Sequence, residues 1–219
     1  MSVTATACRD ASSKITQPLY KTPHPVIHTV KLDDEKRLAR QHLKGFLNNS
    51  HIGLAADYKS GHLVHLALAT SQDALLVRIA SGTDMSRQRL NCGLLGKLIL
   101  LNPSVQKIAF NLDRLALALH CDMNLKINNG VDVLTLSPEA DDRTSLHAVV
   151  SVLGDRDALH IPKVGDIFQN EKDNAERKDY AVIRAWSAWH VACLMSTERM
   201  TVKKIDTSIF PNEVSRYYI

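Results

Sequence analysis

The apolar positions along this chain change period several times, and the changes mark out its elements. PVIHTV, starting at Pro25, reads as a short extended segment. Asp33 and Asp34 then offer N-cap chemistry for a helix through Asn48, with Leu38, His42, Leu43, Phe46 and Leu47 at helical spacing. From His51 the period drops to two. HIGLAADYKSGHLVHLALATSQDALLVRIAS reads as three strands, with turns at Lys59-Ser60-Gly61 and Ser71-Gln72-Asp73. In the middle strand Leu63, His65, Ala67 and Ala69 alternate with Val64, Leu66 and Leu68. A run so nearly apolar on both faces suits a central strand buried on both sides.

Residues 94–101 predict a helix stopped by Asn102-Pro103. VQKIAFNL predicts a strand, residues 115–123 a helix, and GVDVLTL a short strand. Residues 145–153 predict a helix with Gly154 as its C-cap. Residues 155–175 are polar, contain Pro162 and Gly165, and read as a loop before a long helix over 176–200. Three strands, then alternating helix and strand, then helices define an α/β layered domain with a mixed sheet. Residues 1–26 are rich in Ser, Thr and Pro and read as a flexible N-terminal tail; residues 27–200 form the domain. Residues 201–219 form a C-terminal tail whose Ile209, Phe210, Tyr217, Tyr218 and Ile219 are apolar enough to dock on a partner or a second copy.

Composition removes several function classes. Apolar residues make up 45% of the 219 and charged residues 23%, which suits a packed core rather than disorder. A net charge of +4 is compatible with nucleic acid without demanding it. Cys8, Cys92, Cys121 and Cys193 are scattered, so neither a disulfide framework nor a zinc site is expected, and a reducing compartment fits best. The cytoplasm or nucleus is expected ahead of the mitochondrial matrix; Arg9 and Lys14 among Ser and Thr make only a faint presequence. No apolar run reaches the roughly 20 residues that cross a bilayer, so no membrane is expected. No nucleophile elbow, phosphate-binding loop, dinucleotide fingerprint or HExxH spacing is present, and no cofactor is expected.

Three phrases carry a resemblance: IGLAADY, VQKIAFNLDRLALAL followed by NNGVDV, and DYAVIRAW. Together with the β-β-β-α-β-α-β order, they resemble the 3′–5′ exonuclease domains of the ribonuclease D and Werner-syndrome-type group. The likeness spans about residues 25–195. It implies a ribonuclease H-like exonuclease fold, a mixed central sheet flanked by helices. Active members use four carboxylates and two divalent metals, because two cations about 4 Å apart must clamp the attacking water and the leaving oxygen. Against the family motif I-G-x-D-x-E, Ala55 stands at the aspartate and Asp57 at the glutamate. Counting back from Asp132, matched to the family phrase N-V-x-D, places Leu115 at the third carboxylate, with Asp113 two residues earlier. Against Y-x-x-x-D, Tyr180 is kept and Arg184 replaces the aspartate. An arginine beside a would-be dication is repulsive, by roughly 4 kcal/mol per unit-charge pair at about 4 Å and an effective dielectric of about 20.

The resemblance thus implies a degenerate site at Ala55, Asp57, Leu115, Tyr180 and Arg184, with no metal and no catalytic residue. The expected function is a pseudo-exonuclease that serves as a protein-interaction scaffold, an RNA-binding module, or both, in an RNA-processing or RNA-silencing assembly. A protein partner and RNA are the expected ligands, and a homo-oligomer is compatible. Lys59, Arg114 and Arg184 are candidate nucleic-acid contacts, and Lys107, Lys126 and Lys163 could extend a basic rim. The alternative is a weak metal-dependent 3′–5′ exonuclease on single-stranded RNA or DNA using Asp57, Asp113, Asp132 or Asp179. Plainer readings stand beside these. Asp57 could be a solvated strand end, Tyr180 a packed helix residue, Arg184 an ion-pair partner for Asp57, and Trp186 and Trp189 core residues.

Overall fold

A computed structural model of the chain describes residues 11–22, 26–32, 38–79, 85–136, 145–169, 177–194, 204–205 and 207. One mixed sheet organises them. Its strands are β1 (Ala11–Ile15), β2 (Ile27–Leu32), β3 (His51–Lys59), β4 (His62–Ala69), β5 (Asp73–Arg78), β6 (Gln106–Ala109), β7 (Gly130–Asp132) and β8 (Lys204–Ile205). They lie in the order β1-β2-β5-β4-β3-β6-β7-β8. The three strands β3 to β5 form an antiparallel meander, and β6 and β7 add in parallel on the other side of β3. With α2 (Met85–Leu95) and α3 (Leu112–Met123) between them, this is the β-β-β-α-β-α-β order read from the sequence. The α/β architecture, a mixed ribonuclease H-like sheet flanked by helices, is present as topology.

The two sheet faces differ in side-chain size. Ile52, Leu54, Leu63, Leu66, Leu68, Leu75 and Val77 form one core with α1 (Arg40–Leu47), α2 and α3. The opposite face carries Ala55, Ala67, Ala69 and Ala74 under α4 (Leu146–Leu153), α5 (Ile161–Phe168) and α6 (Arg177–Leu194). Small residues there let α6 lie close to the strands. At Gly53 a Cβ would collide with the backbone carbonyl of Ala185, so this position must be glycine. Ala181, Val182, Ile183, Ala185 and Trp186 are all buried, as expected of a helix covered on most sides.

Several expected boundaries move. Residues 11–20, read as tail, belong to the fold: β1 pairs antiparallel with β2, Leu19 is fully buried, and Tyr20 bridges to Leu159. An edge strand needs few apolar residues; Ile15 of ASSKI is buried while most of the strand is polar, and that polar composition hid it. The first helix starts at Arg40 because Ala39 is extended; Asp33 and Asp34 lie outside the described residues. The helix expected over 94–101 begins at Met85 and ends in a π-helical turn, Gly96–Leu100. The expected loop at 155–175 contains α5. Pro162 sits in its first turn, where the missing N–H is not needed, and Val164 and Ile167 form its buried side. In the C-terminal tail, β8 pairs with β7, and Thr207 binds Ile127 by both its backbone N–H and its hydroxyl. The apolar residues expected to dock there, Ile209, Phe210, Tyr217, Tyr218 and Ile219, lie outside the described residues. Among the described residues no helix is long and apolar enough to cross a membrane.

Candidate functional site

The C-terminal end of β3 opens into a cleft of about 410 Å³. Its lining includes Leu54 to Gly61 along β3 and its turn, Phe110, Asn111, Arg114 and Leu115 from the start of α3, Phe168 from α5, and Arg184 from α6. The fold therefore brings Ala55, Asp57, Leu115 and Arg184 to one place, with the candidate contacts Lys59 and Arg114 at its walls. Tyr180 does not line the cleft; it is half-buried against the core on the α4–α6 face. Asp113 is also outside the lining, and its carboxylate accepts the Arg114 N–H at 2.7 Å.

A β-bulge between Asp57 and Tyr58 breaks the pairing of β3 with β4. An extra residue in one strand re-aims the side chains beside it. Asp57 is 8% exposed, and its Oδ2 lies 3.2 Å from His65 Nδ1, the residue across from it on β4. Asp57 is therefore no solvated strand end. Tyr58 packs against the α1–α3 core and also lines the cleft, and the Arg114 guanidinium lies 4.9 Å from its ring centroid, a cation–π distance. Burial pushes the Tyr58 hydroxyl up to about 12, partly opposed by the charges of Arg114 and Arg184.

Arg184 ties three elements together. Its Nη1 donates to the Ile167 carbonyl of α5 at 3.1 Å, and its Nη2 donates to the Ala56 carbonyl of β3 at 2.8 Å. The side chain thus crosses the floor of the cleft beside Asp57. Among the described residues, three cations, Lys59, Arg114 and Arg184, line the cleft with one carboxylate, Asp57. Phe110 and Phe168 meet edge to face at 4.8 Å on its rim.

Asp132 has a different role. It is 1% exposed at the end of β7, where its carboxylate accepts backbone N–H bonds from Asn111, Leu112 and Leu134 at 3.0 to 3.2 Å. Asn111 is left-handed with φ 56° and caps α3 without using its own side chain, so Asp132 supplies that helix cap from outside. Burial raises its pKa above the ordinary carboxylate value, the three N–H donors oppose this, and Asp113 adds to it. Asp179 is outside the cleft lining and bonded to Lys31 Nζ at 2.7 Å.

The basic rim is smaller than the sequence implies. Lys107 is fully buried, its Nζ donating to the carbonyls of Asn102 and Val105 at 2.7 Å, so it forms no rim. Lys126 and Lys163 are outside the cleft lining, and Lys163 lies 3.9 Å from Asp166 one turn on. Trp186 is a core residue whose Nε1 donates to the Ser71 carbonyl at 3.1 Å. Trp189 is half-buried and stacks on His51. The residue that the sequence did not single out is His65. Its position in an apolar strand suggested core, and only pairing of β3 with β4 sets it beside Asp57.

No protein-family model matches this chain, and no curated protein matches it. Among solved structures, the exonuclease domain of Nibbler from Aedes aegypti is 14% identical, covering 71% of this chain and 78% of that chain, with a TM-score of 0.45. The exonuclease domain of EXD2, in a crystal soaked in Mn and GMP, is 20% identical over 71% of this chain and 77% of that chain, with a TM-score of 0.35. The fold assignment stands on the strand order and pairing described above.

Proposed function

We propose that this chain is an exonuclease-like domain that holds an RNA strand in its cleft without metal-dependent cleavage, as a binding module of an RNA-processing or RNA-silencing assembly. The observation that carries this reading is the cleft lining: among the described residues Lys59, Arg114 and Arg184 share it with one carboxylate, Asp57, which is bonded to His65. Two adjacent dications need several anionic oxygens. Ala55 and Leu115 offer none, and the Arg184 guanidinium occupies the floor where such charge would have to be neutralised. The donor set does not fit a metal pair. It suits phosphate oxygens, which the three cations attract, with Phe110, Phe168 and Tyr58 as apolar walls for a base. Two carbonyls hold Arg184, so its charge is fixed in place before a ligand arrives.

The test incubates the purified chain with end-labelled single-stranded RNA, with and without Mg²⁺ or Mn²⁺, reading cleavage and gel shift from the same samples. A metal-independent shift without shortening is the expected result. Metal-dependent shortening would replace this reading with the weak-nuclease one. Neither signal would leave the protein-scaffold role and direct the search to a protein partner.

A further inference from the structure

At the opposite end of β3 from the cleft, three side chains form a chain of contacts that RNA binding does not use. Ser50 Oγ lies 3.0 Å from His51 Nδ1, and His51 Nε2 lies 3.2 Å from Cys193 Sγ. α6 runs antiparallel to β3, so Arg184 sits beside Ala56 while Cys193, in the last turn, reaches His51. Six residues of extended strand separate the two sites, on the order of 20 Å.

The imidazole is held on several sides. The Ser50 carbonyl accepts the Gln106 N–H at 2.8 Å, which fixes the backbone just before β3. Trp189 stacks on the His51 ring, with centroids 6.4 Å apart and planes 23° from parallel. Cys193 is exposed, so a reagent can reach it. A thiol on one ring nitrogen and an orienting hydroxyl on the other is the arrangement of a nucleophile, its base and the group that aims the base.

We propose that Ser50, His51 and Cys193 form a thiol-exchange site at which Cys193 takes up a small-molecule disulfide as a mixed disulfide, with His51 as the base. Sγ attacks one sulfur of the disulfide as His51 Nε2 accepts the thiol proton. The S–S bond of the reagent breaks, and the departing thiolate takes that proton from His51. One mixed disulfide and one free thiol result, with no oxidant besides the disulfide. Burial lowers the His51 pKa and raises that of Cys193, so the resting pair is neutral and the rate comes from base assistance rather than a standing thiolate.

The test treats the full chain with 2-hydroxyethyl disulfide near pH 7 and follows each cysteine by peptide mass mapping. Cys121, also exposed, is the internal reference, and buried Cys92 reports unfolding. Cys193 reacts faster than Cys121, and His51→Gln lowers the ratio of the two rates by at least about tenfold. Ser50→Ala lowers it by less. An unchanged ratio in His51→Gln, or no adduct on Cys193, overturns the proposal. Should His51→Gln expose Cys92, the pH profile of the wild-type chain decides instead. An assisted thiol reacts at a nearly constant rate between about pH 7 and 8, whereas an unassisted one speeds up about tenfold per pH unit and overturns the assignment.

Discussion

Two buried aspartates stand at the ends of neighbouring parts of one sheet, and they do opposite things. Asp132, at the end of β7, has its carboxylate filled by three backbone N–H groups and closes the start of α3. Asp57, near the end of β3, faces a cleft and meets a titratable side chain, His65. Asp57 lines the cleft and Asp132 does not. The difference teaches that a strand-end carboxylate is defined by its donors. Backbone donors make Asp132 part of the frame, whereas Asp57 lines the cleft and meets a titratable side chain.

The largest effect that would test this contrast is on stability. Asp132→Ala leaves two buried N–H groups and one part-buried one without an acceptor and lowers the unfolding free energy by about 4 kcal/mol, measured by urea denaturation. A loss below about 1 kcal/mol would erase the distinction. Asp57→Ala removes the acceptor of one imidazole nitrogen and lowers stability by a smaller amount, about 1 to 2 kcal/mol in the same assay. Arg184→Met releases the Ala56 and Ile167 carbonyls to water at the cleft edge, costs about 1 kcal/mol, and weakens the RNA gel shift about tenfold. An unaltered shift would move the ligand away from this floor.

The smallest effect is a pH dependence. Burial raises the Asp132 pKa in the folded chain above its ordinary 3.8. The unfolded chain therefore releases this proton first as pH rises. The stability the group contributes is complete below its unfolded pKa and is lost as pH climbs through the folded value. Urea midpoints of the wild-type chain, followed from about pH 3 to 7, should fall relative to those of Asp132→Asn and then level off. A wild-type chain that gains on the variant over this range would show the three N–H donors outweighing burial.

The three-stranded meander was legible because β3 to β5 are apolar runs of strand length broken by turn residues, with Ser60 and Gly61 both at positive φ. The meeting of Ala55, Asp57, Leu115 and Arg184 was legible only through a resemblance, since the outer pair lie 129 positions apart and periodicity carries no long-range pairing. Three things stayed hidden for physical reasons. β1 has too few apolar residues to show an edge strand, and α5 begins with a proline that reads equally well as loop punctuation. Lys107 looks like surface charge in any sequence, yet its stem lies in the core and two carbonyls receive its ammonium.

Gly53 also limits how this site could ever change. Backbone meets backbone there, so no rotamer shift can absorb an added methyl group. The gap between α6 and β3 behaves like a fixed caliper. A lineage, or an engineer, seeking a different ligand would have to rewrite the side chains at positions 55, 57, 115 and 184, because the walls that carry them have nowhere to go.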